Sequence, residues 1–151
     1  MTARGSVASA VLGIALALGA PRMSEAHLNA RFLRGDITVS TSWEGVIRPT
    51  GTVVIREGVT VTVEPGTEIL VQPGEGTDIE VRGRLLVRGI PEKPVVFDTA
   101  GGCDAGRWGG IRFHPGSVGV FENARIRCSS GGVAGDLSGV TKKGVSFEAG
   151  R

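Results

Sequence analysis

The stretch "EGVTVTVEPGTEILV", Glu57 to Val71, carries the pattern that decides the fold. Three valines alternate with threonines in "VTVTV" (59–63), the alternation breaks at Pro65-Gly66, and a new apolar run begins at Ile69. Alternation with a period of two indicates strands with one buried face, and Pro-Gly indicates a tight turn. Two strands joined at a turn describe a hairpin and one corner of a repeat equally well, so recurrence of the pattern decides between them.

The pattern recurs about one unit later in the chain. Apolar residues align first at a spacing of 24 (Ile55 with Ile79, Val61 with Leu85, Val63 with Val87) and then of 26 (Ile69 with Val95, Val71 with Phe97). A third pass pairs Leu85 with Ile111 and Val87 with Phe113, again at 26. Strands that resemble those one unit away, rather than their sequence neighbours, are expected to stack in parallel. Inward-facing positions are then predicted by parity at Val118, Val120, Ala124, Ile126 and Cys128.

Three segments in this order resemble the right-handed parallel β-helix repeat proteins of the pectin-lyase-like superfamily. They are "GTVVIREGVTVTVEPGTEILV" (51–71), "IEVRGRLLVRGIPEKPVVFDT" (79–99) and "GRWGGIRF" (106–113), within a resemblance that covers roughly 36–128. The resemblance implies an all-β fold, a short solenoid of about three to four coils. Such folds carry lyases, hydrolases, adhesins and non-enzymatic surface modules alike, so activity stays open. We predict a β-helix domain over 36–151, with 130–151 as a weakly patterned last coil or a flexible tail.

The N-terminus has the pattern of an exported protein. Arg4 precedes an apolar run of 14 residues (7–20), and "SEA" (24–26) supplies the small residues of a cleavage site. We predict a cleaved signal peptide over 1–26, followed by an N-terminal segment over 27–35. An uncleaved anchor is the alternative, but a membrane span needs about 20 apolar residues. Export predicts a secreted or periplasmic protein without a stable membrane anchor.

Composition after Ala26 narrows the class of fold and of partner. The remaining 125 residues hold 15 Lys+Arg and 14 Asp+Glu, because Arg4, Arg22 and Glu25 leave with the peptide. A net charge of +1 gives no electrostatic case for nucleic-acid binding. Valine and isoleucine dominate the apolar set beside 22 glycines, which favours turn-rich β-structure over a helical bundle.

The two cysteines are separated by about one coil. Cys103 and Cys128 lie 25 residues apart, and an oxidising compartment lets a disulfide persist. We predict a bridge that clips the loop "GGCDAG" (101–106) to the next coil. The alternative is a buried free Cys128 with an exposed Cys103. Two cysteines without a nearby histidine argue against a zinc site, and no other metal site is predicted.

Candidate ligand-binding residues are Trp108, Arg82 and Arg84. The indole of Trp108 offers a platform for a sugar ring, although its flanking glycines equally favour packing at a coil corner. Arg82 and Arg84 belong to the polar side of two successive strands. Trp43 is interpreted as a cover over the N-terminal end of the apolar column.

Candidate catalytic residues are Asp78, Glu80 and Arg82. The resemblance implies this choice, because polysaccharide-cleaving β-helices use clustered acids with a basic residue on an outer sheet, often with Ca²⁺. No acid doublet fixes such a pair, and interleaved charges are also typical of a solvated face with ion pairs between coils. A copper site at an N-terminal His27 would need His114 as its second imidazole, in a turn expected to be exposed. No cofactor is predicted, with Ca²⁺ implied only under the lyase alternative.

The function predicted from these features is a non-catalytic one. We expect a structural or carbohydrate-binding module at the cell surface or outside it, with a polysaccharide or surface glycan as its partner. One alternative is a polysaccharide lyase or glycoside hydrolase, or a fragment of one. The other is a scaffold that self-associates end to end, because no amphipathic helix appears to cap the C-terminal coil.

Overall fold

The computed structural model describes residues 30–74 and 76–149, so the predicted signal peptide (1–26) and His27 lie outside the described part. Apart from one 3-10 turn at Cys103–Ala105, the regular structure described there consists of β-strands. The strands are β1 (Arg31–Ile37), β2 (Thr41–Trp43), β3 (Val46–Ile55), β4 (Thr60–Val63), β5 (Glu68–Val71), β6 (Asp78–Val81), β7 (Arg84–Arg88), β8 (Val95–Thr99), β9 (Gly110–Phe113), β10 (Val118–Arg127), β11 (Val133–Gly135) and β12 (Val140–Glu148).

Every pairing between these strands is parallel, as predicted. The chain visits three ladders in turn, and the long strands β1, β3, β10 and β12 each bend from one ladder into the next. The first ladder contains β2, β4, β7 and the first halves of β10 and β12. The second contains the first parts of β1 and β3, then β5, β8 and the second halves of β10 and β12. The third contains the last parts of β1 and β3, then β6, β9 and β11. The fold is therefore all-β with parallel pairing, consistent with a β-solenoid.

The strand register confirms part of the predicted alignment. Val61 pairs with Leu85 and Val63 with Val87, as expected. Two other predicted pairings are wrong by two residues, which keeps the inward parity: Ile79 lies beside Val53 rather than Ile55. Likewise, Phe97 lies beside Ile69 rather than Val71.

The third pass of the predicted repeat is wrong in its ladder. Ile111 and Phe113 pair with Ile79 and Val81 in the third ladder. The partners of Leu85 and Val87 are instead Gly119 and Phe121, 34 residues along the chain. A loop over residues 100–109, between β8 and β9, lengthens this coil. A fixed spacing of 26 therefore falls one ladder short.

The inward parity predicted at the start of β10 is also wrong, although Ala124, Ile126 and Cys128 are buried as expected. Val118 and Val120 lie half-buried on the outer side, whereas Phe121 is fully buried. The cause is Asn123, which has φ 47° at the corner between the two halves of β10. Its Nδ2 donates to the Gly89 carbonyl at 3.1 Å. This left-handed residue takes the chain out of simple alternation, so the side that faces inward changes at the corner.

A single apolar core runs through the described coils. Valine, isoleucine and leucine line it, and four aromatic rings gather where the lengthened coil meets the next (Phe97, Trp108, Phe113, Phe121). The ring of Phe97 is 6.3 Å from that of Trp108 and 6.5 Å from that of Phe121, centroid to centroid. Trp43 lies on β2, the first strand of the first ladder, and is fully buried. Such burial is the main favourable contribution to stability.

Two corners use the same tight turn, and one of them is the predicted corner at Pro65-Gly66. The Thr67 N–H and hydroxyl donate to the Glu64 carbonyl at 3.2 and 2.7 Å. In "HPGS" the Ser117 N–H and hydroxyl donate to the His114 carbonyl at 3.1 and 2.6 Å. Gly66 has φ 79° and the glycine of the second turn has φ 83°, a conformation that glycine adopts without strain.

The predicted disulfide between Cys103 and Cys128 is confirmed, with their Cα atoms 5.1 Å apart. It ties the loop over residues 100–109 to the end of β10. A disulfide is consistent with an oxidising location. Within the described residues, no helix is long and apolar enough to cross a membrane.

Replacing both cysteines by serine should lower the free energy of unfolding by about 2–4 kcal/mol, because the unfolded chain regains the freedom that the closed loop removes. Guanidinium unfolding of oxidised wild type and of Cys103→Ser/Cys128→Ser measures the difference. Adding reductant should destabilise wild type and leave the double variant unchanged. Equal stability of the variant and oxidised wild type would contradict the expected contribution.

Candidate functional site

The outer side of the third ladder gathers charged side chains from two neighbouring strands. On β6, the inward residues Ile79 and Val81 are buried, so the alternate residues face outward. On β9, Arg112 is exposed between two buried neighbours and lies beside Glu80. The strands end together, since the N–H of His114 donates to the Val81 carbonyl at 2.9 Å. We call the resulting set the polar strip: Asp78, Glu80, Arg82, Arg112 and His114.

The most direct contact within the polar strip joins Glu80 to His114. Nε2 of the imidazole lies 3.5 Å from Oε1 of the carboxylate, and both side chains are about one quarter exposed, at 26% and 27%. At that distance the contact is electrostatic and becomes an ion pair when the imidazole is protonated. The expectation of an exposed turn at His114 is therefore wrong, because the first residue of the turn still belongs to the sheet surface.

The next coil adds Asp136 beside the end of the polar strip. Its N–H donates to the Phe113 carbonyl at 2.9 Å. Hydrogen bonds from the Ser138 side chain and backbone hold the pKa of Asp136 below its usual value. This carboxylate therefore remains charged at lower pH than an ordinary aspartate.

Two hollows flank the polar strip, one at each end of its strands. The first has a volume of about 690 Å³ and lies where the third ladder turns into the first, with Glu57, Arg82 and Arg84 in its lining. The second, of about 680 Å³, lies at the start of β6 and β9, with Asp78, Arg107 and Arg112 in its lining. Strand β6 thus leads from one hollow to the other, a span of about 13 Å at roughly 3.3 Å per residue.

The first hollow results from a difference in corner length. The chain passes from β6 to β7 through Arg82 and Gly83 alone. The corners on either side are longer turns, Arg56 to Val59 and His114 to Ser117. A side chain at Gly83 would collide with the carbonyl oxygens of Arg56 and Val59. The short corner is therefore recessed between two projecting ones.

The second hollow depends on small residues at the start of β9. A side chain at Gly109 would overlap the Asp78 carboxylate. Glycine at this position lets that carboxylate lie over the adjacent coil. Ser130 and Gly131 continue the floor in the following coil. The sequence signal for this hollow was the glycine pair 109–110, which could be read only as a corner.

The structure brings some of the predicted site residues together. Asp78, Glu80 and Arg82 share the outer side of the third ladder. Arg84 lies around the corner on β7 and meets Arg82 at the first hollow. Arg112 and Arg107 were missed by sequence reasoning. Alternation in "GGIRF" (109–113) could have placed Arg112, whereas Arg107 depends on the loop that precedes β9.

Trp108 is wrong as a ligand-binding candidate. Its side chain is fully buried, and its ring stacks on Phe97 with 13° between the two planes. Nε1 donates to the Arg127 carbonyl at 2.8 Å. Both faces and the polar edge of the indole are therefore occupied within the protein, as packing at a corner requires.

The polar strip can bind a polar ligand more readily than it can be assigned a reaction. It offers two carboxylates as acceptors, two guanidinium groups as donors and one imidazole. Glycoside cleavage needs two acids at a defined separation across the scissile bond. Asp78 and Glu80 are neighbours on one strand face, about 7 Å apart along it, and Glu80 already contacts an imidazole.

Other charged groups on the surface pair between coils, as the interpretation of a solvated face predicts. Arg127 bridges Asp98 at 3.1 Å and Glu148 at 3.0 Å on the second ladder. Arg56 lies 3.6 Å from Asp36 beside the third ladder. Exposed pairs of this kind contribute about 0–1 kcal/mol each.

Comparisons of this chain with family models, with curated proteins and with solved structures found no match. The functional argument consequently depends on the polar strip, its two hollows and the parallel ladders that position them.

Proposed function

We propose that this chain is an exported, non-catalytic β-helix module that binds a carbohydrate along the polar strip. In this proposal the solenoid is a right-handed parallel β-helix of the pectin-lyase-like type. Its extent of about three to four coils is supported by the successive passes of the chain through the three ladders. Export is supported by the predicted signal peptide and by a disulfide that suits an oxidising compartment.

The observation that carries the proposal is the placement of the polar strip on a sheet surface between two hollows. Parallel strands lie about 4.8 Å apart, which fixes the side chains of β6 and β9 in two adjacent rows. Rows held by a rigid sheet lose little freedom on binding. Acceptors and donors alternate in them, because Glu80 lies beside Arg112. A polyhydroxylated ligand, which both donates and accepts hydrogen bonds, matches such an array.

A panel of polysaccharides tested by affinity electrophoresis and calorimetry examines the proposal. Arg112→Ala should weaken binding about tenfold, because one charge-assisted hydrogen bond contributes about 1.5 kcal/mol or more. Arg125→Ala is the matched control, since Arg125 is exposed on β10 in the second ladder, away from the strip. Absence of binding by wild type, or equal loss in both variants, would rule the proposal out.

The second candidate function is a polysaccharide lyase or glycoside hydrolase. It is favoured by the grouping of Asp78, Glu80 and Arg82 on one face with His114 next to Glu80. Assays for unsaturated products and for new reducing ends, run on the same panel, distinguish it from binding alone. Turnover that disappears in Glu80→Gln would replace the non-catalytic proposal with this one.

A further inference from the structure

A buried carboxylate lies beside the disulfide, on the second ladder and outside the polar strip. Asp98 of β8 is only 8% exposed. Its Oδ1 accepts a hydrogen bond from the Thr99 N–H at 2.7 Å, and its Oδ2 accepts one from Arg127 at 3.1 Å. A carboxylate oxygen of Asp98 and the sulfurs of Cys103 and Cys128 all lie within 4.8 Å of one another.

The disulfide gives no reason for a carboxylate at this place, because the bridge is uncharged. Burying a carboxylate costs free energy unless it is paired or coordinates a metal. Arg127 supplies only part of the pairing, since its side chain is 43% exposed and also contacts Glu148. Two of the roughly four lone-pair directions of Asp98 remain for another ligand.

We propose that the reduced form of this chain binds Zn²⁺ through the thiolates of Cys103 and Cys128 and the carboxylate of Asp98. A water molecule would occupy the fourth position of a tetrahedral site. Thiolate ligands select thiophilic cations such as Zn²⁺ over Mg²⁺ or Ca²⁺. The disulfide and the metal are alternative closures of one loop, and they exclude each other.

The chemistry of the exchange balances in two steps. A dithiol reductant supplies two electrons and two protons, the S–S bond breaks, two thiols form, and the reductant becomes its own disulfide. Zn²⁺ then displaces the two thiol protons and forms two Zn–S bonds. The two thiolates neutralise the charge of the cation. Asp98 and Arg127 keep their opposite charges, so the net charge of the site is the same as in the oxidised form.

The local backbone suits this exchange. Zn–S bonds of about 2.3 Å place two sulfurs about 3.8 Å apart in a tetrahedral site, so the sulfurs must separate by about 2 Å from the disulfide. Cys128 is held in place, because its N–H donates to the Glu148 carbonyl at 2.9 Å and its carbonyl accepts from the Trp108 N–H at 3.1 Å. Cys103 lies in the short turn of the loop between glycines 102 and 106, and its side chain is the one that can shift.

The test uses the full chain, reduced with a dithiol, separated from it without oxygen and titrated with Co²⁺ as a spectroscopic probe for Zn²⁺. We expect thiolate-to-cobalt charge-transfer absorption in the near ultraviolet and visible bands of tetrahedral Co²⁺, with an end point of one ion per chain. Zn²⁺ should abolish both signals. The oxidised chain should show neither.

Asp98→Asn should weaken Co²⁺ binding about tenfold or more, since it removes one ligand. Asp104→Asn is the control, because Asp104 is an exposed acid in the same loop outside the cluster. Circular dichroism follows the fold, and any strand signal that reduction removes should return with Co²⁺. A reduced wild type without charge-transfer absorption, or one left unfolded by Co²⁺, would overturn the proposal. Equal affinity of Asp98→Asn and wild type would also overturn the assigned ligand set.

Discussion

Replacing Trp108 by alanine should lower the free energy of unfolding by about 3–5 kcal/mol, the range for removing a large aromatic side chain from a packed core. The indole is fully buried and stacks on Phe97 at 6.3 Å between centroids. Its loss creates a cavity beside that ring and leaves the Arg127 carbonyl without the 2.8 Å hydrogen bond from Nε1. The midpoint of guanidinium unfolding should fall while the m value stays the same.

Trp108→Phe separates the two contributions. Phenylalanine keeps the stacking on Phe97 and loses the hydrogen bond, so it should cost about 1–3 kcal/mol, less than alanine. Because the ring has no accessible face, this variant should bind polysaccharide as wild type does. Loss of binding without loss of stability would show instead that the indole serves as the sugar platform the sequence suggested.

The fold could be predicted from the sequence wherever the repeat keeps its length. Strands β4 and β7 align as predicted because their coil differs from the preceding one only in its turns. The prediction failed beyond residue 99, where the loop over 100–109 adds length that carries no alternation. Nothing in the sequence says how many of its residues lie outside the coil, and a disulfide within it can be drawn with either register.

The candidate site could be predicted in part for a related reason. Asp78 and Glu80 alternate with buried residues on one short strand, so their shared face follows from the pattern itself. Arg112 joins them only through the register of β9 against β6, which depends on the loop. Trp108 was ambiguous because glycines on one side permit a ring to face either way, and packing with Phe97 decides the direction.

The large effect expected of Phe121→Ala follows from the side of β10 that faces the core. Phe121 is fully buried, with its ring 6.0 Å from that of Phe113 and 6.5 Å from that of Phe97. Removing it should lower the free energy of unfolding by about 3–5 kcal/mol, because the lost ring leaves a cavity between two others that the rigid ladders cannot close. Guanidinium unfolding followed by circular dichroism gives the value.

Val120→Ala is the matched control, on the neighbouring residue of the same strand. Val120 is half-buried on the outer side, so its loss should cost at most about 1 kcal/mol. Simple alternation places Val120 inward and Phe121 outward, and it predicts the reverse order of the two effects. A larger loss in Val120→Ala than in Phe121→Ala would therefore contradict the register of β10 against β7 and the corner at Asn123. The order observed here would instead require that the left-handed Asn123 separates two halves of β10 with different inward parity.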